Sequence, residues 1–204
     1  SAHNQIRATG TGDDSGRHFH LKDPNQKLVC SHVEFSNGKV SEYGGPCCGD
    51  APAHNDRQGG TIRVQGGSVE ITSSVFAGCS IGRCAQYGGI VTLMGSSSSA
   101  TFKKCLFAAV DARNGGHMYI RDGAQVVVED SVFQDARAEG HGPSVLHQKG
   151  VAIYRRVLFE NNEFNWARCT RGCSSYSGGA ITYLGFDSVS PMTVEDSTFR
   201  NNRH

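Results

Sequence analysis

The stretch "VEDSVF" at positions 128–133 returns as "VEDSTF" at 194–199, and four further segments share its context. Anchored on Phe35, Phe76, Phe107, Phe133, Phe159 and Phe199, they read "CSHVEF", "ITSSVF", "FKKCLF", "VEDSVF", "YRRVLF" and "VEDSTF". Five residues before the anchor stand Cys30, Ile71, Phe102, Val128, Tyr154 and Val194. Seven before it stand Leu28, Val69, Ala100, Val126, Ala152 and Met192. The position two before holds Val33, Ser74, Cys105, Ser131, Val157 and Ser197, all small. A second phrase precedes most anchors: "GGTIRV", "GGIVTL", "GGHMYI" and "GGAITY", with "GPSVLH" at Gly142 as a degenerate copy. Apolar residues follow the Gly pair in alternation, as at Ile62 and Val64, Val91 and Leu93, Met118 and Ile120, Ile181 and Tyr183. Period-two alternation marks a strand with one buried face, and a glycine pair supplies a tight bend.

The anchors are spaced by 41, 31, 26, 26 and 40 residues. A period of 20 to 50 residues means a solenoid or a propeller, and a propeller blade takes about 40 residues and four strands. Units of 26 residues are too short for blades. They suit coils of a parallel β-helix, where equivalent residues stack at about 4.8 Å. The sequence therefore predicts an all-β fold: a right-handed parallel β-helix of about six coils, spanning 28–204, after an N-terminal extension or cap at 1–27. The longer units carry insertions at one edge, 36–58 and 160–177, and such insertions often form a binding face.

Composition narrows the function. Twenty Lys and Arg against nineteen Asp and Glu leave no basic field for nucleic acid. No apolar run is long enough for a membrane span. The chain begins at Ser1 and stops inside a recurring phrase, so it is expected to be a processed or partial piece of something longer. Eight cysteines in local clusters point to disulfides and an extracytoplasmic, oxidising location: secreted, cell-surface or lumenal. Cys169 is expected to bond Cys173, and Cys47 or Cys48 to reach Cys79 or Cys84. Cys30 and Cys105, in core columns, are expected to be free thiols.

"GGAI", followed about 20 residues later by "STFRNN", resembles the GGAI and FxxN repeats of polymorphic outer membrane proteins. It is also similar to the wider right-handed β-helix group that includes pectate lyases. The resemblance covers roughly residues 28 to 202. It implies a fold that hosts enzymes, adhesins and scaffolds alike.

Polygalacturonase-like enzymes carry NTD, DD, GHG and RIK segments in that order. Here only "GHG", at Gly140, His141 and Gly142, and "DD", at Asp13 and Asp14, occur, and the pair lies in the leader. Glu129 and Glu195 stack outward two coils apart, with Arg155 between. A lyase would draw on Asp130, Asp135 and Arg121, which strand-end charges explain equally well. His18 and His20 could share a face toward a metal, but lack a third ligand. His147 falls in the inward column and reads as a hydrogen-bonded core histidine, or as a coil locally out of register. No cofactor or metal is expected.

Read by alternation, the outward columns of the GG strands run Thr61, Ile90, His117, Ser144, Ala180; Arg63, Thr92, Tyr119, Leu146, Thr182; and Gln65, Met94, Arg121, Gln148, Leu184. Ile90, Met94, Tyr119, Leu146 and Leu184 would then form an exposed apolar patch, which marks a contact surface. The resulting expectation is a non-catalytic structural module whose partner is another protein, in a larger complex. A glycan-binding adhesin is the alternative, and a lyase-like enzyme the second.

Overall fold

The computed structural model describes residues 4–7, 16–40, 58–78, 85–164, 178–185 and 190–204. Among them there is no helix. Strands form two sheets, of nine and ten members, and the pairings are parallel. The chain winds as a β-helix-like solenoid, and six coils are seen among the described residues.

One coil shows how sequence becomes structure. Ile62–Val64 follows the Gly pair and gives way at Gly67 to Gly67–Thr72. A bend at Ser73 leads to Val75–Ala77, and Ala85–Tyr87 closes the circuit. The corners are residues in the left-handed region. His32, Ser73, Lys104, Asp130, Arg156 and Asp196 hold φ between 48° and 56° at the corner before the Phe strand. Asn37, Ala109, Asp135, Asn161 and Asn201 hold φ between 44° and 58° at the corner after it. Asn and Asp tolerate this region best, which explains their recurrence there.

The Gly pair divides its labour. Gly115 sits at φ +59 and supplies the turn. Gly116 admits the next coil: a Cβ there would overlap the carbonyl oxygen of Pro143.

The Phe strands stack in register, while Met118–Glu129 and Val145–Arg155 shift register once, between Arg121 and Ala124. Phe35, Phe76, Phe107, Phe133, Phe159 and Phe199 form one ladder, with successive centroids 4.9, 4.7, 4.4, 5.1 and 4.8 Å apart and planes within 14°. Phe102 and Tyr154, in the five-before column, meet these rings edge-on. Five rings of the ladder are buried, and Phe199 is half-exposed.

Two strands lie in the segment expected to be an extension or cap. Phe19–Leu21 pairs with Ile62–Val64, and Asn4–Arg7 covers the edge of Val33–Ser36. Cys30 and Cys105 are free thiols. Cys47, Cys48, Cys79, Cys84, Cys169 and Cys173 lie outside the described residues, and so does every disulfide expected of them.

Candidate functional site

The GG-strand face departs from strict alternation, and a backbone bulge explains how. The carbonyl of Ile90 accepts from both Thr61 N–H and Ile62 N–H, at 2.9 Å each. The carbonyls of His117, Ser144 and Ala180 each accept in the same way from two successive N–H groups of the coil before. Two donors aimed at one acceptor bend the strand, so consecutive side chains both face the interior. Ile90 and Ala180 accordingly join the hydrophobic core, and His117 is wholly buried. The first column, expected outward, points in.

The second column faces away from the core yet is also closed off. Arg63, Thr92, Tyr119, Leu146 and Thr182 are all at most 5% exposed. Thr92 Oγ1 donates to the Tyr87 carbonyl at 3.0 Å, and Thr182 Oγ1 accepts from Gly142 N–H and Gly178 N–H at 2.8 and 2.9 Å. The Tyr119 ring stacks on Tyr87 at 5.0 Å, and its hydroxyl donates to Gln148 Oε1 at 2.7 Å. Burial pushes that phenol up to about 12. These side chains brace the glycine turn. The exposed patch of Ile90, Met94, Tyr119, Leu146 and Leu184 is therefore corrected: three are buried, and Met94 and Leu184 are half-buried.

Outward charges are arranged as ladders that run along the solenoid and alternate in sign. Arg155 lies between two carboxylates, Nε to Glu195 at 2.7 Å and Nη1 to Glu129 at 3.4 Å, and Lys103 approaches Glu129 from the other side at 3.6 Å. Arg156 forks onto Asp130 at 2.6 and 3.2 Å, which holds that carboxyl below its ordinary range. Arg137 meets Glu163, and Arg200 meets Glu160, both at 2.7 Å. The repeat alignment already sets Arg155 between Glu129 and Glu195; the structure adds Lys103 and the ladders of Asp130 with Arg156, Arg137 with Glu163 and Glu160 with Arg200.

The lyase candidates do not converge. Arg121 pairs with Asp122 at 2.6 Å, Asp130 with Arg156 at one corner, and Asp135 with Asn161 at the next, at 3.3 Å. Asp13 and Asp14 lie outside the described residues. His141 uses its backbone, accepting from Gly115 and donating to Asn114 Oδ1. Among the described residues no three His, Cys, Asp or Glu side chains are placed to share a metal ion. His18 and His20 diverge: the first lies 6.0 Å from the Phe35 ring, and the second bonds Gln65 Oε1 at 2.8 Å.

Two interior histidines carry opposite lessons. His117 is fully satisfied. Its Nε2–H donates to the Gln134 carbonyl at 3.1 Å, which leaves Nδ1 to accept from Ser144 at 3.0 Å. Burial pushes it down to about 3. His147 faces inward in register with Ile120 and Tyr183, as its alignment predicts. Its ring nitrogens, however, form no well-aligned hydrogen bond; only the Gly150 backbone approaches them, and the ring rests against Tyr183 at 5.1 Å. Burial lowers its pKa.

A concave groove of about 770 Å³ follows the corner after the Phe strand. Ala77, Ala109 and Val110 contribute its apolar surface, and Asp135, Arg137 and Asn201 are among its polar groups. Asp135, and Asn161 and Glu163 from the start of the expected 160–177 insertion, line it.

No family model matches the chain. No curated protein and no solved structure is significantly similar to it. The likeness to GGAI and FxxN repeats thus rests on the residues themselves.

Proposed function

We propose that this chain is a non-catalytic module that presents a rigid β-solenoid to a protein partner within a larger assembly. The single observation that carries the reading is Arg155 between Glu129 and Glu195. The outward carboxylates that a glycosidase would set about 5 to 10 Å apart around a sugar are here joined through a guanidinium. Stacked coils suit a scaffold, since a rigid surface loses little entropy on docking.

The same proposal covers finer points: right-handed winding, the commoner hand for parallel crossovers; kinship with the GGAI and FxxN repeat proteins; an extracytoplasmic, oxidising location; and stapled insertions bearing Cys47, Cys48, Cys169 and Cys173. The test is size-exclusion chromatography and cross-linking mass spectrometry on native material. A partner cross-linked in defined stoichiometry supports the reading; a monomer without cross-links sinks it.

A glycan-binding role is the second reading. The groove favours it, because Asp135, Asn161, Asn201 and Arg203 offer hydroxyl-matching groups over an apolar floor. A glycan array separates the two, and polysaccharide turnover with calcium would reveal a lyase.

A further inference from the structure

One outward column of the nine-stranded sheet is aliphatic without a break. Val75, Leu106, Val132 and Leu158 each stand one residue before a Phe anchor, so alternation turns them outward. They pair in register from coil to coil. Each is half-buried, and the run gives way to Glu34 on one side and Thr198 on the other. The matching column of the ten-stranded sheet runs Val29, Glu70, Thr101, Val127, Ile153 and Thr193, so charge and hydroxyl interrupt it. Four rungs at about 4.8 Å make a strip roughly 14 Å long. Among the described residues no strand is laid over it. A contiguous apolar strip on a flat sheet marks a contact surface.

The charges beside the strip specify its occupant. Two residues before the strip positions, at the corner, stand Ser73, Lys104, Asp130 and Arg156. A second copy, given a half-turn about an axis along the strands midway between Leu106 and Val132, presents the same columns in reverse order. Val75 then meets Leu158, Leu106 meets Val132, and at the rim Lys104 meets Asp130 while Ser73 meets Arg156. On the other side of the strip Ala77 meets Glu160, and Ala108 meets Gln134. No like charges face each other. A slip of one rung in one direction sets Lys104 on Lys104. A slip in the other sets Asp130 on Asp130 and Lys104 on Arg156. A half-turn about the solenoid axis instead brings Arg156 to Glu160, but both already have partners within the chain, and Lys104 then lies on Ala108. The match uses residues 73–160 alone.

We propose that this strip docks a second copy of the chain, the two solenoids lying face to face and antiparallel, with Leu106 and Val132 at the centre and Lys104 of each copy beside Asp130 of the other. The inference rests on the protein-contact reading and names one surface that it uses. The aliphatic side chains supply the burial, and the rim charges set the register of an isologous pair. The face is smaller than a standard interface, so the dimer should dissociate in the micromolar range.

The probe is the intact chain itself, in sedimentation velocity from about 2 to 200 μM. A monomer–dimer equilibrium is expected. Leu106→Arg should weaken it about tenfold or more, and Lys104→Glu, which sets a carboxylate against Asp130 of the second copy, about threefold or more. Thr101→Arg, on the other sheet, should leave it unchanged, and circular dichroism should show all three variants folded. In a mixture of unlabelled and nitrogen-15-labelled chains, a carbodiimide link between Lys104 and Asp130 should appear in mixed-isotope form. A monomer throughout the range, a dimer indifferent to Leu106→Arg or to Lys104→Glu, or Lys104–Asp130 links confined to single chains overturns the proposal. A chain that is monomeric when pure yet cross-links to a different protein in native material keeps its contact function and loses this dimer.

Discussion

The ring of Phe107 lies 4.4 Å from that of Phe133, with the planes only 4° apart. Aromatic pairs left to themselves favour offset or edge-on geometry. Here the strand spacing sets the separation, and the edge contacts come from elsewhere. Phe102 meets Phe107 at 79°, and Tyr154 meets Phe133 at 77°. Backbone register and ring packing are therefore one constraint.

That coupling predicts the cost of breaking it. Phe133→Ala should destabilise by about 3–5 kcal/mol, because rings above and below cannot close the cavity without shifting a coil. Phe199→Ala should cost roughly half as much, since that ring is half-exposed. Urea denaturation of both variants checks the ranking; equal losses would mean that the ladder does not control stability.

Tyr154 offers the opposite sign. Its ring fills the core edge-on to Phe159, but its hydroxyl is fully buried without a hydrogen-bond partner. Burial pushes its ionisation far up. Tyr154→Phe keeps the shape and removes the stranded polar group, so it should raise stability by about 1 kcal/mol. A fall in the urea midpoint would show that the hydroxyl has a bound partner.

The corners separate backbone strain from steric fit. Ala109 holds φ +44, where a glycine is easier, and Ala109→Gly should raise stability by about 0.5–1 kcal/mol. Gly116→Ala should lower it by roughly 2–3 kcal/mol, because the Pro143 carbonyl must retreat. Thermal melts of the two variants should move in opposite directions.

The repeat columns were legible in the sequence because stacking imposes the same environment on each coil. The Phe positions, the small residues before them and the inward pairs such as Ile62 and Val64 all fell where their spacing placed them. The GG face was misread for a physical reason. Alternation assumes an unbroken pleat, and the double donation from Thr61 and Ile62 to Ile90 breaks it. His117 was consequently assigned to the outer face when it belongs to the core. The charge ladders needed a comparison down columns, since Lys103, Glu129, Arg155 and Glu195 are far apart in sequence but adjacent in space.

Interior histidines predict acid sensitivity. His117 is pushed down to about 3, against about 6.5 in an unfolded chain, so the unfolded state binds a proton that the folded state refuses. Its contribution is complete above pH 6.5 and is lost as the pH falls toward 3, at about 1.4 kcal/mol per pH unit. His147 and His18, also lowered by burial, add in the same direction. Stability measured between pH 7 and pH 4 should fall accordingly, and His117→Gln should flatten the profile by one proton's share.

Asn162 separates hydrogen bonding from charge. It is fully buried and holds Ala136 N–H, the Phe133 carbonyl and Asn202 Oδ1 at 3.1, 3.1 and 2.9 Å. Asn162→Ala strands a donor and an acceptor, and should cost about 2–4 kcal/mol. Asn162→Asp keeps the acceptor for Ala136 but turns a carboxylate toward two oxygens, which raises its folded pKa. A raised acid is best tolerated when protonated, so this variant's deficit relative to wild type should be smallest near pH 4 and grow as the pH rises through the folded pKa. Urea midpoints for the wild type and both variants at pH 4 and pH 7 decide it. A deficit of Asn162→Asp that is the same at both values would mean that the new carboxyl titrates alike in the folded and unfolded chain, against the crowding by the Phe133 and Asn202 oxygens.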